Sequence, residues 1–196
     1  MAVTRWNFPN GADGDTLTAA LAGADTLTVA GGTAVLSDDY SLAGGLSALM
    51  TGVGTGLLCF AQEGLSGTAW AVDAYVVIPA APSADAYILW GGASSSARSG
   101  GVLLRTNSTI RLIGNGSTVH WTSGTLPTNT LLRISLYVTC SATTGTARLQ
   151  WFDVATSDTT AAGDSGTISN IDSQASVDRI RVGRKAASVA GTGGLY

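Results

Sequence analysis

Leu131-Leu-Arg-Ile-Ser-Leu-Tyr-Val138 is the stretch whose reading decides the fold. Leu132, Ile134, Leu136 and Val138 alternate with Arg133, Ser135, Tyr137 and Thr139, so every second side chain is apolar. A period of two is that of a β-strand with one buried face, whereas a helix repeats its apolar residues at three- and four-residue spacing. The stretch predicts a core strand.

The segments on either side read the same way. Leu126-Pro127 leads into this strand, and Thr146-Ala-Arg-Leu-Gln-Trp-Phe-Asp153 and Val177-Asp-Arg-Ile-Arg-Val182 give two more after it. Before it, Gly101-Val-Leu-Leu-Arg-Thr106, the turn Asn107-Ser108 and Thr109-Ile-Arg-Leu-Ile113 predict a hairpin. Gly114-Asn-Gly116 then turns the chain into Ser117-Thr-Val-His-Trp-Thr122. Further upstream, a long strand from Ala69 to Ile78 stops at Pro79, because proline cannot donate to a ladder. Ala86-Tyr-Ile-Leu-Trp90 runs into Gly91-Gly-Ala-Ser-Ser-Ser96, expected to be an exposed flexible loop. No segment of helical length keeps a helical period, and Thr16 to Leu21 offers one or two turns at most. Short strands at intervals of about eight to twelve residues predict an all-β, two-sheet antiparallel sandwich.

Composition supports this. Of 196 residues only 12% are charged and 45% are apolar, with 26 glycines for turns. The formal net charge of −3 includes no basic block, which excludes nucleic acid as a main partner, since phosphate neutralisation needs a basic face. Arg179, Arg181, Arg184 and Lys185 cluster, and read as a solvated strand edge where charge discourages pairing. No apolar h-region follows Met1-Ala-Val-Thr-Arg-Trp6, and the apolar runs are too short to span a bilayer, so neither secretion nor membrane insertion is expected. Cys59 and Cys140 close apolar runs and read as buried free thiols, a disulfide across the sheets being the alternative. Without a Cys/His grouping, zinc is not expected.

Candidate chemistry is sparse. Asn10-Gly-Ala-Asp-Gly-Asp-Thr16 suggests a calcium loop, but an EF-hand needs acids at its third and fifth positions and a glutamate at its twelfth. Those positions here are Ala12, Gly14 and Leu21. Asp13 and Asp15 therefore read as turn residues, with a looser calcium site through both as the minor reading. The echo Gly23-Ala-Asp-Thr-Leu-Thr28 marks a second turn-to-strand entry. A retaining glycosidase needs paired carboxylates, and Glu63 is the single glutamate. His120 is the single histidine, with no Gly-x-Ser-x-Gly elbow to serve, and no phosphate-binding glycine loop is present. Glycan binding would need an exposed aromatic platform with polar groups beside it. The candidates are Trp90 beside its serine loop, and Trp121 with His120 and Asn115. Most of the five tryptophans are expected in the core or at interfaces.

The order of motifs resembles concanavalin A-like (laminin G-like) jelly-roll domains. Thr4-Arg-Trp-Asn-Phe8 is similar to their opening strand, Ala69 to Val76 to their long strand after the first hairpin, and Leu126-Pro127 with Leu131 to Val138 to the entry of their central strand. The resemblance implies one jelly-roll domain over residues 1–185 and a glycine-rich segment over 186–196. That family closes with a last strand beside the first; here residues 186–196 would have to lead to it, or a neighbouring subunit would supply it. The Ala/Gly/Thr-rich style is similar to minor tail proteins of phages infecting actinobacteria. That likeness implies a non-enzymatic structural or adhesion module of a virus particle, made in the host cytoplasm and resident in the virion. Its partners would be other virion proteins, copies of itself (a trimer) and a cell-surface glycan. The alternative is a freestanding carbohydrate-binding lectin, assisted by calcium.

Overall fold

A computed structural model describes residues 12–19, 24–38, 47–92, 98–186 and 193–195. The expected opening strand Thr4–Phe8, Asn10 and Gly11 of the first turn, and residues 93–97 lie outside the described residues. Among the described residues, thirteen strands, numbered in chain order, form two antiparallel sheets. The eight-stranded sheet runs β1 (Thr26–Ser37), β2 (Ser47–Gln62), β12 (Arg179–Ala186), β4 (Ala86–Gly92), β5 (Arg98–Leu104), β6 (Ile110–Ile113), β7 (Val119–Thr122), with β13 (Gly193–Leu195) also on β2. The five-stranded sheet runs β10 (Gly163–Asp164), β9 (Gly145–Asp153), β8 (Leu131–Thr139), β3 (Ala69–Val77), with β11 (Ile168–Ile171) also on β9. A 3-10 turn lies at Asn115–Ser117, and Ala19 is also helical.

The chain is thus an all-β sandwich of jelly-roll type, and the decisive stretch lies inside it. β8 is flanked on both edges, by β3 and β9. Leu132, Ile134 and Leu136 are fully buried in the space between the sheets. Each such side chain contributes about 1.5–3 kcal/mol by leaving water. Trp70 and Val76 of β3, Leu149 and Trp151 of β9, and Ile88, Leu89, Val102, Ile110 and Leu112 of the other sheet complete that core.

Two expectations change. Gly91 and Gly92 are not loop residues but the buried end of β4, where glycine is required: a Cβ on Gly91 would lie 2.5 Å from Cζ2 of Trp70. β12 is no solvated edge; its backbone pairs with β2 on one side and β4 on the other. Arginines are tolerated there because strand side chains alternate: Ile180 and Val182 pack on the core, and Arg179 pairs instead with Glu63 (3.2 Å). Within the stretch Thr16 to Leu21, Thr16 bridges to Val35, Leu17 is buried beside Leu36 and Met50, and Ala19 is helical, while residues 20–21 lie outside the described residues. Gly193–Leu195 pairs with Gly52–Met50 of β2, while the opening strand beside which a last strand was expected lies outside the described residues. β1 and β2 form a long hairpin that the sequence pattern only hinted at, because glycines interrupt its alternation. Both cysteines are buried free thiols, and burial pushes the Cys59 thiol up to about 11.

Candidate functional site

Trp90 lies apart from the other residues proposed for sugar contact, Trp121, His120 and Asn115. Register places Trp90, Gly101, Ile113 and Val119 in one cross-strand row, and Leu89, Val102, Leu112 and Trp121 in the next. Successive rows face opposite sides of a sheet. Trp121 accordingly packs, half-buried, against the inter-sheet core. Trp90 points the other way and is 3% exposed, enclosed with Cys59, Tyr87, Leu103 and Ile113. A buried indole offers no stacking platform, so Trp90 is corrected to a packing residue. His120 lies against Gly114, where a Cβ would sit 2.7 Å from its Nε2. Beside it, the Asn115 side-chain amide donates to Asp172 Oδ2 (3.0 Å) and its backbone N–H to the Asp172 carbonyl (2.8 Å). His120 and Asn115 thus share one turn, where the Asn115 amide tethers the β6–β7 turn to Asp172.

Asp13 and Asp15 hold backbone. Asp15 Oδ2 accepts the Ala12 N–H (2.8 Å) and Asp13 Oδ1 the Asp38 N–H (3.3 Å). Among the described residues no three His, Cys, Asp or Glu side chains gather as metal ligands. These two carboxylates alone do not fit a calcium site, which takes six to eight oxygens.

A different surface does gather polar and aromatic groups: the outer face of the five-stranded sheet. The odd-numbered residues of β3 and β8 and the even-numbered residues of β9 lie on it, in cross-strand rows. One row is Tyr75, Arg133, Phe152; the next is Asp73, Ser135, Gln150, Asp164; the third is Ala71, Tyr137, Arg148; the fourth is Ala69, Thr139, Thr146. Successive rows are about 7 Å apart. The first two rows are closed. Arg133 lies 3.8 Å above the Phe152 ring centroid, donates through Nε to Asp158 Oδ1 (2.7 Å), and reaches Asp73 Oδ1 (3.3 Å). The Tyr75 hydroxyl donates to the same Asp158 (2.9 Å), and Ser135 is buried beneath, donating to Asp73.

The third and fourth rows are open. Ala69, Tyr137, Thr139, Thr146, Arg148 and Thr167 line a depression of about 350 Å³. Small side chains are among its lining residues, as is Tyr137, 48% exposed. Arg148 forms a two-pronged pair with Asp164, Nε to Oδ1 at 3.0 Å and Nη2 to Oδ2. Gln150 and the Gly166 N–H donate to the same carboxylate (3.0 and 2.8 Å). The Arg148 hydrogen bond above all holds the Asp164 carboxyl down at about 2, so it stays ionised. An aromatic ring, hydroxyls and immobilised N–H donors around a shallow concavity can take up a polyhydroxylated ligand. Sequence alternation carried the signal for Arg133, Ser135, Tyr137 and Thr139. It did not carry the pairing that brings Arg148, Gln150 and Asp164 beside them.

No protein-family model matches the sequence, and no curated protein matches it. Similarity appears in structure. The chain is similar to a sialidase of Trypanosoma rangeli, solved in complex with 2,3-difluoro-KDN, with a TM-score of 0.50 at 13% identity. That alignment covers 97% of this chain and 29% of the sialidase. A mutant of the same sialidase displaying trans-sialidase activity aligns with a TM-score of 0.45 at 13% identity, covering 97% of this chain and 30% of that one. The chain therefore spans less than a third of the length of these enzymes. At such identity the likeness is one of fold: this is a β-sandwich of a type found as part of sialidases.

Proposed function

We propose that the chain is a non-enzymatic adhesion module that holds glycan on the outer face of its five-stranded sheet. In this reading it is a structural component of a virus particle, such as a phage minor tail, fibre or surface-decoration protein. It assembles with other virion proteins and with copies of itself as a trimer. The half-exposed ring of Tyr137 beside an open depression of about 350 Å³ carries the binding part. The scarcity of charge supports assembly, because interface cores are depleted in Lys, Glu and Asp. A non-catalytic role is supported by the state of the carboxylates. Glu63 is paired to Arg179 and accepts from Thr26 (3.4 Å), and Asp164 is too acidic to serve as a proton donor.

A glycan array with the purified chain, run with and without chelator, tests this. Binding should survive the chelator and disappear in Tyr137→Ala, whose melting temperature should be unchanged. Silence on the array refutes glycan recognition, and chelator-sensitive binding would restore the calcium reading of Asp13 and Asp15. Light scattering tests assembly: a glycan-binding monomer at high concentration would assign a freestanding lectin instead.

A further inference from the structure

We infer that the open depression beside Tyr137 is selective for neutral glycans and discriminates against sugars that carry a carboxylate, an inference that rests on the binding role proposed above. The reason lies in how this face disposes of its charge. Two arginines, Arg133 and Arg148, face three aspartates, Asp73, Asp158 and Asp164, which leaves a formal surplus of one negative charge. Each arginine already has an aspartate as its counter-ion. Arg133 has Asp158 on its Nε and Asp73 on its Nη1, and Arg148 has both prongs on Asp164.

A carboxylated sugar needs a guanidinium that can offer it two parallel N–H groups. The side-on prong of Arg148, Nε and Nη2, is occupied by Asp164, and the end-on N–H groups that remain belong to a guanidinium whose charge Asp164 already neutralises. An incoming carboxylate would have to displace that carboxylate or sit beside it, and like charges at close range repel. A neutral hydroxyl has no such difficulty. Arg148 retains N–H groups beyond the two it gives Asp164, fixed in direction by that pair, and Thr139, Thr146 and Thr167 add hydroxyls that both donate and accept. Neutralised donors beside an aromatic ring recognise hydroxyls by direction rather than by charge.

The test is a titration of the intact chain with two matched oligosaccharide sets, one neutral and one ending in sialic or uronic acid, at low and at high salt. The neutral set should bind at least about tenfold more tightly, with an affinity that salt leaves unchanged within about twofold. Asp164→Asn should release Arg148 from its partner, so acidic affinity should rise about tenfold relative to neutral affinity, and acidic binding should become salt-sensitive. A wild-type preference for the acidic set, or an unchanged ratio of acidic to neutral affinity in a folded Asp164→Asn, overturns the selectivity and leaves glycan binding standing. Failure of both sets to bind overturns glycan binding itself, and the selectivity with it.

Discussion

Gly91→Ala should cost far more than one methyl group ordinarily does, because the space it needs is filled by a ring from the other sheet. The Trp70 indole crosses from β3 into the eight-stranded sheet, where its Nε1–H donates to Ser99 Oγ (3.1 Å). Glycines make the slot: a Cβ on Gly91 would lie 2.5 and 2.7 Å from Cζ2 and Cε2 of the indole and 3.1 Å from Ser99 Oγ. A Cβ on Gly100 would lie 3.0 Å from Val138 and 3.7 Å from the same ring. The indole atoms belong to a rigid ring that is 4% exposed, so the ring as a whole must move. Overpacking of that kind costs about 1–3 kcal/mol. Pulling the N–H away from Ser99 adds about 1 kcal/mol. Alanine's smaller unfolded-state entropy returns about 0.5–1 kcal/mol. The net is about 1–3.5 kcal/mol, a fall in Tm of roughly 2–14 °C for a chain of this length. Urea unfolding followed by far-UV circular dichroism measures it without relying on tryptophan emission. The decisive comparison is a double-mutant cycle with Trp70→Leu. With the ring gone, Gly91→Ala should cost under about 0.5 kcal/mol, a coupling of about 2 kcal/mol. A neutral Gly91→Ala, or an equal cost in both backgrounds, would refute the slot.

Three further outcomes follow from the same packing and charge. Trp90→Leu should destabilise by about 2–4 kcal/mol, as a buried cavity-forming change, yet leave glycan affinity within about twofold; lost affinity in the folded variant would return Trp90 to the site. Asp164 has its carboxyl at about 2 in the folded chain against an ordinary 3.8, so its contribution is present above about pH 4 and is lost as pH falls through 2. The stability gap between wild type and Asp164→Asn should therefore close between pH 5 and pH 2, from under about 1 kcal/mol because the pair is solvent-screened, and a gap constant with pH would contradict it. With its thiol near 11 and 1% exposed, Cys59 should resist iodoacetamide at pH 8 in the native chain and react on unfolding; labelling at the rate of a free thiol would show that the burial is wrong.

What the sequence revealed and what it concealed have one physical source, the difference between alternation along a strand and pairing across strands. Alternation is local: in Leu131–Val138 it separates Leu132, Ile134 and Leu136 from Arg133, Ser135 and Tyr137 before any partner is known. The hairpin at Asn107-Ser108 is local too, and both matched the structure. Pairing is not local. β12 carries the same Arg-Ile-Arg-Val alternation whether it lies at an edge or between β2 and β4, since charge on one face does not prevent hydrogen bonding along both edges. Trp90 and Trp121 each sit in an apolar-aromatic strand, and only register reveals that they face opposite sides of one sheet. The proposed site depends on the same non-local information. Tyr137 was legible as outward-facing, but its use depends on β3 placing small Ala69 and Ala71 beside it, so that one flank of its ring stays open. It depends equally on β9 placing Arg148 there already bound to Asp164. With a lysine at 148 or a large residue at 71 the sequence would read as the same strands and predict the same fold. The surface would then hold no neutral donor array and no open ring. In this sandwich the fold is written along the strands, and the proposed binding chemistry is written across them.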